Sequence, residues 1–269
     1  TLTGKLNLGL MLGVNLNNNE SRPNRHRIDH NLFRDRQVFG SNGAETIRVG
    51  TSQQAMSSSQ TVIEENLFFR CNGEVEVVSI KSSDNTVSRN LFYECQGVVA
   101  LRHGDRNKVT DNVFVGNGIR NTGGVRIVNA GHTVSGNSFF SLRGERFFAP
   151  LALMNAVPNS LPNRYCLVED VTVSGNRFYD CSPLEFGTGR DEERTLRPRN
   201  IVFADNTIAN RSAKESFKAI DLIDGFTFRN NTACLARKTR ISGFRNADIT
   251  VPAVESPVKK NEVGASWYV

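Results

Sequence analysis

Glu74 and Glu76 lie two residues apart in Asn72-Gly73-Glu74-Val75-Glu76-Val77-Val78-Ser79-Ile80-Lys81, a spacing that sends two side chains to one face of an extended strand. Two carboxylates on one face are hard oxygen ligands. The amide oxygen of Asn42 is a third donor for a cation such as Ca²⁺, which takes about six to eight oxygens. The same acids can instead pair with Arg48 and Arg102, and the residues alone leave these two readings level. Around them stand Lys81, His103 and Arg126. Arginine forks match carboxylates, sulfates and phosphates. Any one outward charge is most often merely solvated, but acids flanked by cations on both sides point to a site that holds a polyanion.

These residues need a scaffold, and the chain carries a repeat. A phrase ending in Asn-x-Phe recurs at Asn31-Leu32-Phe33, Asn66-Leu67-Phe68, Asn90-Leu91-Phe92, Asn112-Val113-Phe114, Asn137-Ser138-Phe139 and Asn176-Arg177-Phe178. Weaker copies follow at Asn206-Thr207-Ile208 and Asn230-Asn231. The steps from Asn66 to Asn90, Asn112 and Asn137 are 24, 22 and 25 residues, the length of one coil in a parallel β-helix. The expected fold is therefore all-β, a right-handed parallel β-helix of about 8–10 coils. Its Phe residues should stack inward, and its Asn residues should stack at a bend, bonding freed backbone groups and tolerating left-handed φ. A leucine-rich repeat lacks its Leu pattern here, and a propeller blade needs a longer period.

The domain expectation is a β-helix over 1–235 and an irregular segment over 236–269 packed on its end. Residues 1–30 show little of the repeat, although Leu6-Asn7-Leu8 and Val14-Asn15-Leu16 read as strand pieces. No capping helix precedes Asn31, so N-terminal coils and a cap are expected to be missing or supplied by a separate chain. The five cysteines contain no CxxC pair, which excludes a zinc ribbon and a fully paired disulfide framework. Cys71, Cys95 and Cys181 each follow a repeat Asn by five residues and should stack as buried thiols. Hydrophobic residues at 38% are enough for a core. A net charge of +6 fits an acidic partner without requiring one. No apolar run is long enough for a membrane helix, no signal peptide is recognisable, and neither nucleic acid nor membrane is an expected partner.

Aligned on their asparagines, the coils bring Glu45-Thr46-Ile47-Arg48-Val49, Glu74 to Lys81, Val99-Ala100-Leu101-Arg102-His103 and Val125-Arg126-Ile127-Val128 onto one sheet, about 4.8 Å apart. The expectation is a column of Arg48, Glu76, Arg102 and Arg126, with Glu74, Lys81 and His103 beside it. Asn42-Gly43-Ala44-Glu45-Thr46-Ile47-Arg48-Val49-Gly50, Asn72 to Ser82, and Leu101-Arg102-His103-Gly104 resemble successive signatures of polysaccharide lyase family 6, which contains alginate lyases and chondroitinase B. The likeness runs over about residues 24–210. It implies Ca²⁺ held by Asn42, Glu74 and Glu76, Lys81 as general base, and Arg102 assisting the leaving oxygen. It also implies that Arg48, His103, Arg126 and Tyr165 contact the sugar. Family members have several coils before the calcium asparagine, whereas 41 residues precede it here. The implied activity is β-elimination on a 4-linked uronic-acid polysaccharide, alginate before dermatan sulfate, by a secreted or periplasmic protein. Two alternatives are a pectinase-like hydrolase, which needs clustered Asp where this chain has Lys and Arg, and a non-catalytic polysaccharide binder.

Overall fold

The structure is a computed structural model that describes residues 1–16, 23–40, 42–211 and 215–252. Its strands form three parallel sheets of ten, eight and eight strands among the described residues. Each coil contributes one short strand to each sheet and pairs in parallel with the coils on either side, which makes the chain a parallel β-helix. The three sheets enclose one core because side chains alternate in and out along each strand. Phe33, Phe68, Phe92, Phe114, Phe139 and Phe178 fill the first sheet's inner column, with ring centres 4.5–5.0 Å apart. Ile63, Val87, Val109, Val134, Val173 and Phe203 fill the third sheet's. Each such residue contributes roughly 1.5–3 kcal/mol by leaving water.

The bend before each Phe strand is held by an asparagine ladder. The backbone N–H of Asn66 donates to Asn90 Oδ1 at 3.0 Å, that of Asn90 to Asn112, and so on through Asn137, Asn176 and Asn206 to Asn231. Left-handed φ falls not on these asparagines but on the residue before each: His30, Glu65, Arg89, Asp111, Gly136, Gly175, Asp205 and Asn230. The preceding residue makes the corner, and the asparagine then points its amide inward, where it bonds carbonyls of its own and the previous coil. The ladder ends at Asn231, whose N–H meets the carbonyl of Gly243 at 2.9 Å in place of another amide.

Strand pairing defines both ends. Leu2–Thr3 and Leu12–Val14 pair with Leu32–Arg36 and Ile47–Val49, so the first residues already form part of a coil. Leu6 and Leu8 lie in no strand and are exposed. Arg36 occupies the interior position of Cys71 one coil later. Fully buried, it donates to the carbonyls of Lys5, Asn7 and Gly9 at 2.6–2.8 Å and so fixes this first loop. Beyond residue 235, Phe244–Asn246 adds one more strand to the ten-stranded sheet, and 253–269 lie outside the described residues. All five cysteines are free, and Cys71 and Cys95 stack as buried thiols, the N–H of Cys71 meeting Cys95 Sγ at 3.5 Å.

Candidate active site

The second sheet carries Ile47–Val49, Glu76–Lys81, Val98–His103 and Val125–Ile127 side by side. Its outward column is Arg48, Ser79, Ala100 and Arg126. Glu76 and Arg102 stand outside that column, Glu76 three residues before Ser79 and Arg102 two after Ala100, and the register slips twice beside it, once at Val77 and once at Arg102 itself. Each slip leaves an extra residue on one strand, a bulge, which re-aims the neighbouring side chains. The second slip sets Lys81 directly opposite His103. Gly50 and Gly104 permit this close stacking from either side: a Cβ on Gly50 would lie 2.8 Å from the Lys81 carbonyl oxygen, and one on Gly104 2.2 Å from the Ser82 carbonyl carbon.

Three carboxylates converge below Lys81. Glu45 Oε1 lies 3.2 Å from Lys81 Nζ, while its Oε2 is buried without a hydrogen-bond partner. Glu74 accepts the N–H of Gly43 at 3.3 Å. Burial, then the charges of Glu45 and Glu76, push the Glu74 carboxyl up to about 8. Burial acts the same way on Glu76, but Arg126, Ser79, Lys81 and Arg102 outweigh it and hold that carboxyl below the usual range. Glu45 was not among the metal ligands expected from sequence, although it lies three residues after Asn42. Asn42 itself is exposed, next to the Gly43 that binds Glu74.

Among the described residues, no three acidic, histidine or cysteine side chains are placed to hold a metal ion, and Glu76 is engaged by Arg126 and Ser79. The donor chemistry nevertheless fits a hard dication: crowded acids, one raised far above its ordinary range, and an orphan carboxylate oxygen.

The cations divide into two kinds. Arg126 is 4% exposed and bonded to Glu76, with Phe147 packed 5.6 Å from its guanidinium. Its position is outward on the sheet, where a sugar contact was expected, and neighbouring side chains cover it. Arg102 stands nearer the cleft, its Nε 4.0 Å from Glu76 and its Nη1 donating to the carbonyl of Arg164 at 2.9 Å. Burial lowers its pKa, with Tyr165 and Glu76 opposing. Tyr165, from the long insertion after Leu151–Met154, packs its ring 4.4 Å from the Arg102 guanidinium carbon. His103 is buried, and burial followed by the charges of Arg102 and Lys81 pushes it down to about 3, so it is neutral and bonded to Ser52 at 3.3 Å. Arg48 is half-buried on the same face.

Comparisons with known proteins bear on the family and the fold. The chondroitinase B family model matches residues 1–264. A variant of the PL6 family alginate lyase AlyGC superimposes with a TM-score of 0.92 at 39% identity, covering 99% of this chain and 40% of that one. A mannuronic acid specific polysaccharide family 6 lyase from human gut microbiota superimposes at 0.81 with 35% identity, covering 92% and 58% respectively. Alginate lyase AlyF-OU02, at 0.75 and 21% identity over 96% of this chain and 66% of its own, shares the fold. This chain thus spans less than two thirds of the length of the first two. No curated protein matched.

Proposed function

We propose a function on one premise: the chain belongs to polysaccharide lyase family 6, the family of chondroitinase B and of the alginate lyases it superimposes on. We infer that it cleaves a 4-linked uronic-acid polysaccharide, alginate, by β-elimination. The observation that carries this reading is the register slip that sets Lys81 against His103 and turns Arg102 to the same spot, above three convergent carboxylates.

Lys81 is the base. Its Nζ takes the proton from C5 of the uronate, the electron pair forms the C4=C5 bond, and the bond from C4 to the bridging oxygen breaks. The leaving oxygen takes a proton from water or from the Tyr165 phenol as it departs. To accept the C5 proton, Lys81, whose Nζ lies 3.2 Å from Glu45 Oε1, must enter the step as the neutral amine, its own proton given to solvent beforehand. His103, neutral and buried, serves as a hydrogen-bonding wall rather than a second cation. Arg102 faces the leaving oxygen as a fixed charge, since a guanidinium is a poor acid. Tyr165 brings a phenol to the same guanidinium, and Arg48 offers a cation to a sugar carboxylate. In this reading Ca²⁺ is held by Asn42, Glu74 and Glu76, with Glu45 beside them. When bound, it neutralises the substrate carboxylate and makes the C5 proton more acidic. Such a polymer places the protein outside the cytoplasm, secreted or periplasmic.

Incubation with alginate should generate ultraviolet absorbance from the conjugated C4=C5 bond, and Lys81→Ala should remove it, a loss of about 10²–10⁴ for a general base. Equal absorbance from wild type and Lys81→Ala would overturn the assignment. Product from dermatan sulfate alone would move the substrate to the chondroitinase B side of the family. Retention of alginate without product would make the cleft a binding site.

A further inference from the structure

Two guanidinium groups pack on the Tyr165 ring. That of Arg102 lies 4.4 Å from its centre, and that of Arg194 lies 5.1 Å away. Arg194 comes from the loop after Leu184–Thr188, one coil beyond the strand that precedes Tyr165. It is tightly held there: its Nε donates to the Gly189 carbonyl at 2.5 Å, and its Nη2 to Asp191. Asp191 in turn accepts the backbone N–H groups of Glu193 and Arg194 at 3.0 and 2.7 Å.

The two loops are also clasped elsewhere. Arg164 Nη2 meets Glu193 at 3.0 Å, while the Arg164 carbonyl is the acceptor for Arg102. Ala156 and Leu196 exchange backbone hydrogen bonds at 2.8 and 2.9 Å, and Asn155 donates to the Arg194 carbonyl at 3.2 Å. The insertion bearing Tyr165 is therefore backed by residues 189–197. From that backing, the Arg194 guanidinium packs on the ring.

We propose that Arg194 is a positioning residue: it holds the Tyr165 ring against Arg102, so that phenol and guanidinium meet the leaving oxygen in a fixed relation. Its chemical consequence rests on the lyase reading above, whereas its structural content does not. A planar guanidinium lies flat on an aromatic ring and keeps its edge free for Asp191 and Gly189, which an ammonium cannot do. The backbone clasp locates the loop; Arg194 sets the ring.

The test joins hydrogen exchange with kinetics. Arg194→Met should raise amide exchange in the peptide covering 157–166 and leave the strands of the Phe ladder unchanged. On alginate, kcat should fall about tenfold, the rate equivalent of a partly desolvated cation–π contact, with KM within about twofold. Arg194→Lys should recover part of the loss. In a Tyr165→Ala background, Arg194→Met should cost nothing further. Unchanged exchange at 157–166, or kinetic losses that simply add in the double variant, would overturn the proposal. Absence of product from wild type would count against the lyase reading, and the exchange result would still decide the positioning role.

Discussion

His132 stands where a second ladder would place an asparagine, its Nδ1 accepting the Asn107 N–H at 3.1 Å. One coil earlier, Asn85 gives both its N–H and its Nδ2 to Asn107 Oδ1, at 2.8 and 3.0 Å. Asn107 has no such acceptor for its own Nδ2, which is buried without a partner. The imidazole Nε2 faces the Val128 carbonyl at 2.8 Å, so the ring donates there and must be unprotonated at Nδ1.

A titration follows from that pairing. Burial pushes His132 down from about 6.5 to about 4. A base depressed on folding binds its proton more readily in the unfolded chain, so its share of stability is complete above about 6.5 and is lost as pH falls towards 4. The linkage amounts to roughly 3 kcal/mol over the whole window. His132→Asn should flatten this part of the profile and give Asn107 Nδ2 an acceptor. Urea midpoints for both proteins at pH 7 and pH 5 check it; an unchanged difference would count against the assignment.

Arg126 is expected to matter for folding before it matters for sugar. Removing it leaves Glu76 buried with its principal counter-charge gone, so Arg126→Ala should cost about 3–5 kcal/mol in denaturant unfolding. Adding Glu76→Gln should return part of that. A sugar contact alone would leave the unfolding midpoint where it was.

Calcium should stabilise the chain in the absence of any substrate. Free Ca²⁺ at about a hundredfold its Kd adds about 2.7 kcal/mol, seen as a rise in Tm that EDTA reverses. Glu74→Gln should blunt the rise. Magnesium, which demands a tighter octahedron, should give less. A Tm indifferent to calcium and EDTA would remove the ion from the mechanism.

Arg36 is predicted to hold the first loop in place. Arg36→Met withdraws donors from the carbonyls of Lys5, Asn7 and Gly9, a local cost of about 1–3 kcal/mol for each group left without a partner. Amide exchange over residues 4–10 should rise sharply while the strands from Asn66 onward keep their protection. Equal exchange in both proteins would mean that the strand pairs alone secure this segment.

Much of this was legible in the chain. The repeat Asn and Phe marked the coils, and Lys81, Arg102, His103, Glu74 and Glu76 could be placed on one sheet by counting from them. Counting failed where charged residues were matched across coils without the strand register: Glu76 lies three residues before Ser79 and Arg102 two after Ala100, so neither shares the column of Arg48 and Arg126. The burial of Arg126 under Phe147 was not legible either, since outward on a strand is not the same as exposed when another segment covers the sheet. Glu45 carried a signal, its place in the phrase that begins at Asn42. Arg194 carried none, as it belongs to a loop with no period. The left-handed corner was assigned to the asparagine when the neighbour before it makes the turn.

The asparagine ladder has direction. Every amide oxygen accepts from the coil before it, and every backbone N–H looks to the coil after it, until Gly243 closes the series with a carbonyl. Successive coils thus present identical joints, and excision of the residues from one asparagine to the next would rejoin matching surfaces. Removal of half a coil would leave an asparagine N–H without the amide oxygen it needs on the next coil. The length of such a protein can therefore change in whole steps, and insertions such as the one bearing Tyr165 are free to grow wherever they leave that joint untouched.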